Sequence, residues 1–435
     1  MATSRTRSTT WTRGEKALFV SCGLLLVLAV AAALRWQTGN AVPPVRFPRP
    51  AALPNPNAFP FYKGAGEALV HDREIGEAVS GRTAADFTIA EKRALVADNA
   101  AALRTLRDGL KLPYHEPPVH NADALFPHYA RFRGLVRLLV LEGQTRAAAG
   151  DAAGAANSYL DAVQMGQQIP RGAPLIGGLV GNACQAIGRR PLWGLTDRLG
   201  SGAAKAAARR MERITANAVP LAEVLEQEKY FGQAGLLDLF DDPGRLRNVG
   251  DDLGAPRVVT PLVFFLFPKR TIMSSYTVFM DRTIARSHRP FAERGAEPPV
   301  PADPINRMLV PVLAPLPFQY AHTQAQNALL TVALALRAFR AEHGAYPSAL
   351  DELVARGYLA RLPDDPFAVK APLRYRRIAP DRYVLYSVGP DGRDDNGKAI
   401  DEPRAARRGG GRGNDPRHQV EENSRGDVVA GVNAS

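Results

Sequence analysis

Cysteine is nearly absent: the 435 residues contain two, Cys22 and Cys184. A fold stapled by several disulfides is therefore excluded, and a pairing of these two is opposed because Cys22 sits inside an apolar run of membrane length. Aromatics are sparse at 7%. None interrupts the arginine-rich strip from Arg404 to Arg412, so specific recognition of nucleic acid by base stacking finds no platform there. No Gly-x-Ser-x-Gly nucleophile elbow occurs. His115-Glu116-Pro117-Pro118-Val119-His120 is one residue too long for a zinc-protease signature, and its prolines forbid the helix that would align both imidazoles. Adding Asp123 and His128 would make a loop-borne metal cluster; solvated histidines in a proline-rich connection explain the pattern better. Gly392 to Lys398 nearly spells a phosphate loop, but Ala399 replaces the Ser or Thr that would hold magnesium, and Asp394 and Asp395 would repel phosphate. No nucleotide site is expected.

What is present is a hydrophobic fraction of 46% and a net charge of +12. The first suits folded domains, two or three at this length. The second favours acidic partners such as anionic lipid, envelope polymers or nucleic acid, although solvated arginine-rich faces are the better explanation of it. Residues 17–35 carry the run ALFVSCGLLLVLAVAAAL, long enough to cross the hydrocarbon core as a helix. Arg5, Arg7, Arg13 and Lys16 precede it, so the positive-inside bias puts residues 1–16 in the cytoplasm and the bulk of the chain beyond the inner membrane. Ala29-Val30-Ala31 and Ala31-Ala32-Ala33 also satisfy a signal-peptidase pattern; anchored or cleaved, the remainder is exported.

Residues 36–58 are proline-rich and predict a stiff, extended spacer holding the next domain away from the bilayer. Residues 59–318 predict a mostly helical extracytoplasmic domain, with apolar residues recurring at three and four, as from Leu95 to Leu110 and Leu135 to Ala149. Residues 136–167 resemble one tetratricopeptide hairpin, in which Gly143, Ala155, Tyr159 and Ala162 occupy its small and aromatic positions; with no second copy the segment reads as an ordinary helical hairpin. Val258 to Phe267 reads as buried core, or as a loop resting on the membrane. Among the middle carboxylates, Glu223, Glu226, Glu228, Asp238, Asp241 and Asp242 offer acid–base chemistry only if the fold gathers them.

Residues 319–400 are the most informative. Ala325, Leu329, Val332, Leu336 and Phe339 form one helical stripe, and Gly344 can cap it. Pro347 opens a short helix, Leu373 to Ile378 and Tyr383 to Val388 read as paired strands, and Gly389-Pro390-Asp391-Gly392 turns the chain. Residues 401–435 predict disorder. The fold class is thus mainly α, with an N-terminal transmembrane helix and a small α+β C-terminal domain in which a long helix packs on an antiparallel sheet.

His343-Gly344-Ala345-Tyr346-Pro347, Leu362-Pro363-Asp364-Asp365-Pro366-Phe367 and Tyr386-Ser387-Val388-Gly389-Pro390-Asp391-Gly392 make this segment, about 328–400, resemble the C-terminal domain of the major pseudopilin of type II secretion. The family's N-terminal leader is not matched at Gly14. The resemblance implies calcium in the loop after the last strand, with Ser387, Asp391, Asp394 and Asp395 as its side-chain ligands. The expectation is a membrane-anchored interaction or scaffold protein of the bacterial envelope with a protein partner, linked to secretion or pilus-like assemblies. An envelope hydrolase sited in the helical region and a calcium-stabilised pseudopilin-like subunit are the alternatives.

Overall fold

The computed structural model describes residues 26–31, 33–34, 37–42, 44–48, 52–80, 87–119, 126–242, 266–310, 313–401 and 420–433. Eight helices open the folded body: α1 (Ala58–Glu67), α2 (Asp72–Ser80), α3 (Ile89–Asp98), α4 (Ala100–Leu110), α5 (His128–Ala148), α6 (Ala152–Gln168), α7 (Leu175–Leu195) and α8 (Ser201–Ala216). Local chemistry sets several starts. The Asn57 side chain accepts the Phe59 N–H, Thr88 and Glu91 form a reciprocal capping box, and Asp151 accepts the Gly154 N–H; each satisfies a helix-end donor that has no intrahelical partner. The periodic stretch expected to run unbroken from Leu95 to Leu110 divides at Asn99. Its buried amide bonds both the N–H and C=O of Val70, diverting the chain from continuous helix.

α5 and α6 form a hairpin whose close approach depends on Gly143. A Cβ there would lie 2.2 Å from the Tyr159 ring, so only hydrogen leaves room for the aromatic. A buried ion-pair network ties the hairpin to α4: Arg107 bonds Glu142, and its Nε lies 3.1 Å from Asp161 Oδ2. Ser158 Oγ donates to Glu142 Oε2 at 2.7 Å.

α9 (Leu221–Asp241), α10 (Lys269–Ser287) and α11 (Pro304–Leu309) build a second core around Val224, Leu225, Ile272, Tyr276 and Met280. The proline-rich segment does not stand off as a free spacer. Val42 and Val45 pack against this second core, the Lys269 N–H donates to Asn40 Oδ1 at 3.3 Å, and Phe47 meets Tyr230 edge-on. A chain without regular secondary structure can lie along a surface as readily as leave it. Most of Val258–Phe267 lies outside the described residues.

α12 (Leu316–His343) then runs through the molecule. Its predicted stripe is buried throughout, and Gly344 ends it in the left-handed conformation at φ 76°. The helix begins four residues earlier than Tyr320 because Pro317 sits in the first turn, where its missing N–H costs nothing. One apolar core is shared by Leu135, Leu139, Leu160 and Met211 of the middle helices, by Leu329 and Leu336 of α12, and by Leu353, Leu385 and Val428 beyond it. It is therefore continuous across 318/319. Each such buried aliphatic side chain contributes on the order of 1.5–3 kcal/mol.

The short helix α13 is Asp351–Ala355, and strands β1 (Arg374–Ala379), β2 (Arg382–Ser387) and β3 (Val428–Val429) form an antiparallel sheet in that order. Arg377 stands opposite Tyr383, with a register slip between Arg377 and Ala379. The third strand corrects the expectation of disorder over residues 401–435. Residues 420–433 fold back because Val428 and Val429 bury their side chains and the Ala430 N–H bonds Leu385 O at 3.0 Å; 402–419 lie outside the described residues. So does most of the expected membrane span, residues 17–35, including Cys22. Among the described residues no helix is long and apolar enough to cross a membrane.

Candidate functional site

The loop expected to hold calcium is organised by the protein's own donors. Ser387 is fully buried and gives its hydroxyl to Asp365 Oδ1 at 2.7 Å. Asp391 Oδ1 accepts the Arg393 N–H. Asp394 accepts the Tyr386 phenol at 2.9 Å and faces Arg374 Nε at 3.3 Å. The Asp395 N–H donates to Asp427, which also accepts the Gly397 N–H at 2.7 Å. Ser387 is thus bonded within the fold, Asp391 uses one carboxylate oxygen, and the Arg374 guanidinium faces Asp394. Among the described residues no three His, Cys, Asp or Glu side chains gather at metal-holding spacing. No chemistry is derived through calcium. Burial, helped by the neighbouring Asp394 and Asp395 charges and opposed by its backbone bonds, pushes the Asp427 carboxyl up to about 6.

The histidine-rich connection behaves differently from the expected solvated loop. Glu116 is 2% exposed and accepts from Tyr129 at 2.8 Å and from Tyr114 at 3.3 Å, with His128 Nε2 at 3.1 Å. Phe59, Phe126 and Phe132 enclose His128. The carboxylate is fully subscribed within an aromatic box, an arrangement that locks α5 to the 111–119 connection. His120 and Asp123 lie outside the described residues. Glu223 and Glu228 are also spent structurally, accepting the N–H groups of Gly172 and Leu175 ahead of and at the start of α7.

The cavity with the most chemistry was not foreseen. A cleft of about 650 Å³ opens where α6, α7, α8 and α12 meet the loop at 360–366. This is the size range of small-ligand sites. Its walls carry Gln167, Asn182, Gln185, Gln324 and Asn327, with arginines at 209, 213 and 361 and acids at 212 and 364. Glu212 Oε1 accepts the Ala360 N–H at 2.7 Å, and Arg209 Nη2 donates to Gly357 O at 2.9 Å; those bonds staple the loop to α8. Arg213 and Arg361 are exposed and have no side-chain partner among the described residues.

Behind the wall lies Arg189, 3% exposed, on α7. Its Nη1 donates to Asn327 Oδ1 at 2.9 Å, and its Nη2 donates to Gln326 Oε1. Burial pushes its pKa down to about 10, with no carboxylate among the described residues offsetting that cost. With Asn327 Oδ1 occupied, Asn327 Nδ2 donates to Gln185 Oε1 at 2.8 Å. The relay therefore presents the NH2 end of Gln185 as its free terminus. Two further cleft groups, Tyr320 Oη and Asn182 Nδ2, are buried without any hydrogen-bond partner. Burial, then the Glu223 charge, holds the Tyr320 phenol well above its ordinary pKa, so it remains a donor. Tyr320 has room because residue 178 is glycine: a Cβ there would lie 2.7 Å from the phenol oxygen. Neither His115, His128, Glu223 nor Asp238 lines the cleft.

Compared with known proteins, the chain matches no family model, no curated protein and no solved structure. The pseudopilin and tetratricopeptide resemblances therefore rest on the quoted motifs and assign no family.

Proposed function

We propose that this chain is a tethered binding protein of the bacterial envelope, anchored through residues 17–35 and receiving a segment of a partner protein in the cleft between α8, α12 and the loop at 360–366. The observation that carries the reading is the pair of buried, unpartnered cleft groups, Tyr320 Oη and Asn182 Nδ2. A buried polar group without a partner costs about 1–3 kcal/mol, and a bound segment would supply the missing acceptors. The anchor is supported by Leu26, Val27, Leu28, Val30 and Leu34, which are 50–66% exposed and meet no core of their own. In lipid that exposure becomes favourable burial.

The test is a crosslinked pull-down of the full chain from native membranes, with and without chelator, comparing the wild type with the double variant Arg213→Glu/Arg361→Glu. The reading expects a partner captured by the wild type and lost from the variant. Equal capture by both would move the interaction off the cleft. Chelator sensitivity of the wild type alone would return calcium to the loop at 387–395.

A further inference from the structure

The cleft's buried chemistry leans one way. Its two buried, unpartnered groups are the Tyr320 hydroxyl and the Asn182 amide NH2, and the NH2 terminus of the Gln185 relay adds a third donor. The relay's polarity is fixed from behind, because Arg189 can only donate and so turns the Asn327 and Gln326 carbonyls toward itself. Arg189 also brings a positive charge that no carboxylate among the described residues answers. At the mouth, the exposed Arg213 and Arg361 add two more cations against the one exposed carboxylate of Asp364, while Glu212 is already bonded to the Ala360 and Arg361 N–H groups. A ligand that presents acceptors to the interior and negative charge to the arginines of the rim complements this balance.

The lining narrows the class further. Tyr320 is the one aromatic among the lining residues, and its ring is buried, not laid open as a platform. Bases of single-stranded nucleic acid gain much of their binding from stacking on exposed rings, which this cleft does not supply. A peptide main chain presents a carbonyl at every residue and needs no such platform.

Resting on the reading that the cleft is a binding site, we propose that its ligand is an extended peptide segment bearing acidic side chains. The main-chain carbonyls accept from Tyr320, Asn182 and Gln185, and the acidic side chains meet Arg213 and Arg361. Charge-assisted bonds of that kind are roughly twice as strong as neutral ones.

The test is fluorescence anisotropy with the full chain in detergent, using short fluorescein-labelled peptides of alternating Glu and Ala, the matching Gln–Ala and Lys–Ala peptides, and a single-stranded oligonucleotide of similar charge. The Glu–Ala peptide should bind, at least about tenfold more tightly than the Gln–Ala peptide, since one lost charge-assisted bond is worth about 1.4 kcal/mol or more. Arg213→Gln with Arg361→Gln should erase that preference; both side chains are exposed, so the fold is not at stake. Tyr320→Phe should weaken both peptides by a similar factor, checked against an unchanged melting profile. Equal binding of Glu–Ala and Gln–Ala peptides, or tighter binding of the oligonucleotide, would overturn the acidic-peptide assignment. If no peptide binds while the pull-down still loses its partner in Arg213→Glu/Arg361→Glu, the ligand class fails and the cleft reading stands. If the pull-down shows no such loss either, both fail.

Discussion

Arg189 Nη1 lies 2.9 Å from Asn327 Oδ1, joining α7 to α12 across 138 positions of sequence. The bond helps hold a buried cation that, among the described residues, only two amides, Asn327 and Gln326, accept from. Asn327→Leu should therefore be costly, by about 3 kcal/mol, because it strands a buried guanidinium and also leaves Gln185 Oε1 without its donor. Adding Arg189→Met should recover most of that loss, since removing both members of a buried polar pair is far cheaper than removing one. Chemical denaturation of the four proteins in the cycle measures the coupling directly.

The same arginine sets a pH response. Its hold on Gln326 Oε1 turns the Gln326 amide toward His322 Nε2, 3.0 Å away. That nitrogen must then accept, and protonation is opposed. Burial, followed by the Arg189 charge, pushes the His322 pKa down to about 4 from 6.5. The unfolded chain takes up the proton near 6.5 and the folded one resists it, so this stability is present above 6.5 and lost as pH falls toward 4. The loss should reach about 2–3 kcal/mol. His322→Phe should flatten this part of the profile while keeping the stack on Phe318.

Asp427 titrates in the opposite sense. Its carboxyl, raised to about 6 from 3.8, is protonated more readily in the folded state than in the unfolded one. The C-terminal sheet should therefore lose stability as pH rises from about 4 to about 6, relative to Asp427→Asn, which lacks the ionisation. Thermal melts of the two proteins across that window report the difference. Deleting residues 402–435 should cost more than either, because it removes Asp427 from the Gly397 N–H and strips Val428 from the core.

Gly143→Ala should destabilise the α5–α6 hairpin by about 1–3 kcal/mol, the usual range for overpacking, because the added methyl would stand 2.2 Å from the Tyr159 ring. Tyr159→Leu in the same chain should return part of the loss. An alanine that left the melting temperature unchanged would mean that the hairpin can open at no cost.

Several of these features were legible in the sequence. The α12 stripe of Ala325, Leu329, Val332, Leu336 and Phe339 with Gly344 behind it contains its own period and its own stop. Strands β1 and β2 followed from alternation around the turn at Ala379–Arg382, and Gly143 with Tyr159 followed from size complementarity. What the sequence concealed is non-local. β3 is two valines beyond a glycine- and arginine-rich stretch, too short to carry a period. Glu116 and His128 are twelve positions apart across a proline-rich connection, yet the aromatic residues around them are what bury the pair. The cleft draws Asn182, Gln185, Arg213, Asn327 and Arg361 from separate elements, each an ordinary polar residue on its own helix or loop. The signal available was weak: Arg189 falls among the buried positions of α7, and a cation at such a position asks what answers it.

The cleft's role is tested most directly by placing a photo-crosslinking amino acid at Gln324, on its wall, and at Ile378, which is 47% exposed on β1 away from it. Irradiation of the full chain in native membranes should give a partner adduct from position 324 that an excess of the Glu–Ala peptide suppresses, and none from 378. An adduct from 378 alone, or one from 324 that the peptide leaves untouched, would contradict the account.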